Sequence, residues 1–172
     1  MLLHRQVNIR GGGYHSGIDL STGRNDPLYS MCDGRVIETG FQSGGYGNYI
    51  VYKDDNSNYA FLYGHMKEPT PFNVGDIISV GQQVGIEGTT GNSTGIHVHV
   101  EMEDYVQNGN RWIHRGQDPT AWGSVYLPAT DYMGFPNQLG ISVIYDGTPI
   151  PFMKKRKKFP FVLLAKKIRK KY

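Results

Sequence analysis

The stretch Gly91-Asn92-Ser93-Thr94-Gly95-Ile96-His97-Val98-His99-Val100-Glu101-Met102 decides how the rest of the chain is read. Side chains on a strand leave alternately to its two faces, so a strand from Ile96 to Met102 sends His97, His99 and Glu101 one way and Val98 and Val100 the other. The valines predict a face packed on a core. The polar face carries two imidazoles roughly 7 Å apart along the strand, close enough for one or both to serve a single metal ion. The preceding run, Gly88-Thr89-Thr90-Gly91-Asn92-Ser93-Thr94-Gly95, tolerates left-handed backbone and delivers the strand from a tight loop. By itself a His-x-His pair fits a metal site and a pair of half-buried structural histidines equally well.

Outward from this stretch, the composition agrees with strands. The 172 residues include 23 Gly and 12 Tyr, and helix-forming runs are scarce outside the C-terminus. Short strands joined by turns are therefore expected, in an all-β fold with one domain-sized core. Arg5 to Ile9 alternates and reads as a first strand, ended by Gly11-Gly12-Gly13; Ser21 to Pro27 reads as a polar turn. Gly34 to Phe41 reads as a strand, and Asn48 to Lys53 with Tyr59 to Tyr63 reads as a hairpin around Asp54-Asp55-Asn56-Ser57-Asn58. Val74 to Ile86 predicts two small strands around a turn. Asn108-Gly109 predicts a second hairpin between Tyr105-Val106 and Arg111-Trp112-Ile113, and Asp118-Pro119 one capped helical turn.

A second chemical signal is His15 with Asp19, spaced H-x-x-x-D around a glycine that favours extended or loop geometry. An imidazole nitrogen and a carboxylate oxygen are both ordinary zinc ligands. One histidine of the His97/His99 pair would complete three protein ligands with an open fourth position, the pattern of a catalytic zinc. Such an ion lowers the pKa of water to ~7. His65 and the other histidine of the pair would then be free for proton transfer or for stabilising charge. Glu101, on the face of His99, fits either an orienting partner of a histidine or a solvated strand residue.

Five separated segments now carry a resemblance: His15-Ser16-Gly17-Ile18-Asp19-Leu20, Gly44-Gly45-Tyr46-Gly47-Asn48-Tyr49, Tyr63-Gly64-His65-Met66, Val80-Gly81-Gln82-Gln83-Val84-Gly85 and Thr90 to Glu101. In order and spacing they resemble the lysostaphin/LytM-type zinc metallopeptidases, over about residues 5–122. The resemblance implies a mostly antiparallel sheet flooring a groove and one zinc per chain. It implies His15, Asp19 and His99 as metal ligands, with His97 and His65 acting in catalysis. It further implies hydrolysis of stem or cross-bridge peptide bonds in bacterial peptidoglycan. No glutamate of an H-E-x-x-H motif is available as base, so the histidines must move the protons. The alternative is an inactive wall-binding module of the same fold. Tyr63-Gly64-His65-Met66 departs from the pattern, having Gly and Met where Ala and Leu are usual, but loses no functional group. His4 and His114 match no motif and read as surface or hairpin residues, while Tyr46, Tyr49 and Trp112 fit a groove lining or, more ordinarily, a core.

Charge divides the chain. The first 151 residues carry eight basic and fifteen acidic side chains, whereas residues 152–172 carry ten basic and none acidic. The expected organisation is a peptidase domain over 1–123, an irregular extension over 124–153 and a basic tail over 154–172. The tail suits an anionic wall polymer, an anionic membrane surface or nucleic acid, or it is a solvated extension; Phe159 to Ala165 is too short to span a bilayer. The sequence leaves the oligomeric state open. A single cysteine, Cys32, forms no internal disulfide and reads as a small buried hydrophobe. Met1-Leu2-Leu3-His4-Arg5 has no apolar run of signal-peptide length, which leaves a phage lysin or virion component, or a piece of an exported protein, as routes to the cell wall.

Overall fold

A computed structural model describes residues 2–4, 8–9, 13–108, 111–114, 126–127 and 141–142. Among them are fourteen strands and no helix. In chain order these are β1 (Leu2–His4), β2 (Asn8–Ile9), β3 (Gly13–Tyr14), β4 (Ile18–Ser21), β5 (Pro27–Tyr29), β6 (Gly34–Gln42) and β7 (Gly47–Asp54). They continue as β8 (Tyr59–Met66), β9 (Ile77–Ile78), β10 (Gln83–Ile86), β11 (Val98–Asn108), β12 (Arg111–His114), β13 (Tyr126–Leu127) and β14 (Ile141–Ser142). Ten of them form one antiparallel sheet in the order β14-β1-β4-β11-β8-β7-β6-β9, with β12 and β13 also paired to β11. β5 pairs with β10 and β2 with β3 as separate ribbons.

The alternation along β11 is realised as the sequence predicts. Val98, Val100 and Met102 enter a core with Ile18 and Leu20 of β4, Ile50 and Tyr52 of β7, and Phe61 and Tyr63 of β8. Leu28, Met31, Cys32, Ile78 and Val84 cover that face from loops and small strands. Each large apolar side chain so buried stabilises the fold by about 1.5–3 kcal/mol before entropy is counted. Cys32 is buried there, and desolvation pushes its thiol well above its usual range, so it stays neutral. Val51, Ala60, Leu62 and Tyr105 form a smaller cluster on the opposite face, with Ile37, Tyr46 and Tyr49 packed against it.

Turn chemistry fixes the β7–β8 hairpin. Asp54 Oδ1 accepts the Asn56 N–H at 3.0 Å and Oδ2 accepts the Ser57 hydroxyl at 2.6 Å. The Lys53 ammonium donates to the carbonyls of Asp54 and Ser57 inside the same turn. This is the side-chain mimicry of a backbone turn that Asp and Asn favour.

Four details differ from the sequence expectation. β11 starts at Val98 rather than Ile96, and His97 makes an isolated bridge to Gly88. The two small strands of 74–86 exist but do not pair with one another, since β9 adds to β6 and β10 to β5. Pro27, expected to end a turn, opens β5. The early strand is Asn8–Ile9 among the described residues, with 5–7 outside them. The helical turn at Asp118 and the tail also lie outside the described residues.

Candidate metal centre

Strand pairing builds the site. His99 is the register partner of Asp19 across β11 and β4, and of Gly64 across β11 and β8. His15 reaches the same point from the segment entering β4, which is possible because Gly17 has no side chain: a Cβ there would stand 2.3 Å from the Val100 carbonyl oxygen. The result is a triangle of His15 Nε2, His99 Nδ1 and Asp19 Oδ1, with edges of 3.1, 3.1 and 2.8 Å. These are the only three such side chains among the described residues whose ligand atoms converge in this way.

The donor chemistry of the triangle fits a cation. His99 Nε2 lies 2.9 Å from Glu101 Oε1, to which it donates, and this turns Nδ1 toward Asp19 and His15. Burial alone would lower the His99 pKa, but its hydrogen bonds to Asp19 and Glu101 outweigh this and raise it to about 9. Burial alone would raise Asp19; hydrogen bonds from His15 and His99 hold it well below the usual carboxylate range. A cation at the three donors would take the place of the proton that His99 Nδ1 otherwise gives to Asp19. Tetrahedral zinc with bonds of 2.0–2.1 Å needs donor separations of about 3.3 Å, close to those of the triangle.

His97 and His65 stand beside the triangle without joining it. His97 Nε2 is 3.7 Å from Asp19 Oδ1, and the His65 and His97 ring centroids are 4.7 Å apart. In both rings Nδ1–H donates to a backbone carbonyl at 2.8 Å, Thr90 O for His65 and Gly95 O for His97. A carbonyl only accepts, so each ring is fixed as the tautomer with a basic Nε2. Burial chiefly, aided by the neighbouring His97 and His99, pushes the His65 pKa down. The four histidines and one carboxylate expected to form the site, His15, His65, His97, His99 and Asp19, thus lie together. Side chains of His4 and His114 lie outside the described residues.

Glu101 is the orienting carboxylate, not a solvated strand residue: it is 0 % exposed. Its Oε1 accepts from His99 Nε2–H, from the Ser16 hydroxyl and from the Tyr46 hydroxyl at 3.0 Å, and Tyr46 also lies 3.1 Å from Oε2. Burial alone would raise Glu101, but the hydrogen bonds from His99 and Glu103 hold it down at about 2. Burial, reinforced by Glu101, pushes Glu103 up, as expected of two buried carboxyls that share a hydrogen bond. Ser16, Tyr46 and Thr90 were not singled out for these roles by sequence. Ser16 had a signal in its place beside His15; Tyr46 and Thr90 act from loops, where no periodicity reports direction.

The sequence pattern of Peptidase family M23 matches residues 13–112. The chain is 34% identical over 92 residues to the glycyl-glycine endopeptidase ALE-1 of Staphylococcus capitis, covering 52% of this chain and 25% of that protein. It is 35% identical over 88 residues to the peptidoglycan DD-endopeptidase ShyB of Vibrio cholerae, covering 51% of this chain and 20% of that protein. It thus spans a quarter or less of the length of these two curated relatives. Among solved structures it resembles a catalytic-domain mutant of a prophage-encoded M23 protein, EnpA, from Enterococcus faecalis. That likeness has a TM-score of 0.58 and 26% identity, over 77% of this chain and 92% of the other.

Proposed function

The chain belongs to peptidase family M23, and from that premise we propose that it is a zinc-dependent endopeptidase hydrolysing stem or cross-bridge peptide bonds of bacterial peptidoglycan. The observation that carries the proposal is the convergence of His15 Nε2, His99 Nδ1 and Asp19 Oδ1 within 2.8–3.1 Å, flanked by two histidines of fixed tautomer. His15, Asp19 and His99 would hold the ion. When bound, zinc supplies Lewis acidity that polarises a scissile carbonyl and makes water acidic near neutral pH. The rest is the work of the chain. Nε2 of His65 or His97 takes a proton from the attacking water; the other, entering the reaction protonated at Nε2, stabilises the developing negative charge and gives that proton to the leaving amine, so the pair ends with as many protons as it began. His65 suits the base role because its depressed pKa keeps it neutral at pH 7. The five side chains are all present, which weighs against an inactive binding module. The site of action is the bacterial cell wall, reached as part of a phage or of an exported protein.

Ligands and proton-transfer residues separate experimentally. Purified protein is expected to carry about one zinc per chain and to lose hydrolysis to a strong chelator. His99→Ala should lose the ion, while His65→Ala and His97→Ala keep it and slow hydrolysis by at least ~10²-fold. Absence of zinc together with chelator-resistant cleavage would refute the reading. Loss of zinc from His97→Ala but not from His99→Ala would reverse the assignment within the pair.

A further inference from the structure

Tyr46 touches both groups of histidines, and by different parts of the residue. Its hydroxyl donates to the buried Glu101 carboxylate, whose Oε1 holds His99 Nε2–H at 2.9 Å. Its ring lies against the His99 imidazole, with centroids 5.9 Å apart and planes 26° from parallel. Its carbonyl accepts the His65 N–H at 2.6 Å. That last bond holds His65 in a left-handed backbone conformation, φ 59°, which a residue with a side chain adopts only at a cost in strain. Tyr46 is itself fixed at the turn between β6 and β7, where Gln42 Oε1 accepts its N–H at 3.2 Å. The missing side chain of Gly64 leaves room for it, since a Cβ there would stand 3.3 Å from the Tyr46 carbonyl oxygen.

Resting on the metallopeptidase reading above, we propose that Tyr46 is a positioning residue for the whole centre: through Glu101 it sets the ring of His99, and through its carbonyl it sets His65. A fully buried ionised carboxylate accepts hydrogen bonds only, and each donor it lacks is expensive. With the tyrosine hydroxyl gone, Glu101 loses the donor shared by both of its oxygens, and its orientation toward His99 rests on Ser16 and Glu103 alone. The ligand lone pair then points less well at its two companions. Partners of metal-bound histidines are worth 10- to 100-fold in metal affinity or activity, the scale expected here.

Tyr46→Phe is the test, because it removes the hydroxyl and keeps the ring and the backbone carbonyl. Zinc affinity, measured by competition with a chromogenic chelator, is expected to fall about tenfold or more. The rise in melting temperature produced by zinc should shrink accordingly, since that rise reads affinity for the folded state. A purely structural role would lower the melting points of metal-free and zinc-loaded protein equally and leave affinity at the wild-type value, which overturns the inference. Glu101→Gln should weaken zinc binding too, and adding Tyr46→Phe to it should cost little more because both act along one path. Fully additive losses would show that Tyr46 does not act through Glu101. Wild-type protein that takes up no zinc would overturn the metallopeptidase reading and this inference with it, whereas wild-type affinity in Tyr46→Phe overturns this inference alone.

Discussion

His65 shows how one backbone angle carries a side chain to a place where alternation would not send it. In β8, Phe61 and Tyr63 face the core and Leu62 the opposite side, so simple alternation would send His65 into the core with Tyr63. The positive φ at His65 turns its ring over to His97 instead, and Met66 returns to the core. Met66 suits that return, because its sulfur occupies space that a Cβ on Gly85 would invade at 2.4 Å. The environment that receives the ring also sets its chemistry. Burial disfavours the imidazolium, so the pKa falls below its ordinary 6.5 and the basic form survives to more acid pH. If His65 is the base, the acid limb of kcat/KM should have its midpoint below pH 6.5, activity being lost as pH falls through the folded-state value. A midpoint at or above 6.5 would remove His65 from the base role.

At the scale of elements, two glycine turns hold the site walls together. The start of β7 with the turn before it and the loop before β11 are tied directly: Asn92 N–H donates to Gly45 O at 2.8 Å and Asn48 N–H to the Thr90 hydroxyl at 2.9 Å. Gly91 has φ 74°, and a Cβ on it would stand 2.2 Å from the nitrogen of Gly47. Gly91→Ala therefore meets both strain and an immovable neighbour, and should destabilise by at least the ~1–3 kcal/mol of a strained backbone, a melting temperature lower by on the order of 5 °C. Gly95→Ala is the control, since a Cβ there meets nothing within 4 Å. Equal melting points for the two variants would show the loop contact to be dispensable. These contacts also mark where the sequence was legible. The polar and apolar halves of β11, the Asp54–Asn58 turn and the Asn108-Gly109 hairpin carry local signals, and each is found. The partners of β9 and β10 are set by contacts distant in sequence. The direction of Tyr46 is set in a loop, and the side of His65 by one dihedral that no residue type announces.

For the whole molecule, charge and sheet order separate what the centre needs from what it does not. β13 and β14 lie in the expected extension yet pair with β11 and β1, so the stretch to Ser142 contributes strands to the main sheet. Truncation after Ile150 spares both strands and all five site residues, and cleavage of a small soluble peptide should be unchanged. The removed segment holds ten cationic side chains, so binding to anionic walls, vesicles or nucleic acid should weaken on truncation. In the intact chain that binding should fade as salt rises, given screening over ~8 Å at physiological strength. Co-sedimentation of both forms across a salt series, with peptide hydrolysis in parallel, decides this. Equal, salt-insensitive binding would leave the tail a solvated extension, and collapsed hydrolysis would show that it packs on the domain.

The register of β11 has a further meaning. His99 must stand opposite both Asp19 and Gly64, and a slip of one residue would turn the histidines into the apolar core and the valines out of it. No mispaired molecule can then assemble the centre or hide its apolar face. Should the proposed hydrolysis hold, specific activity would count correctly paired chains and so gauge refolding yield without any structural probe.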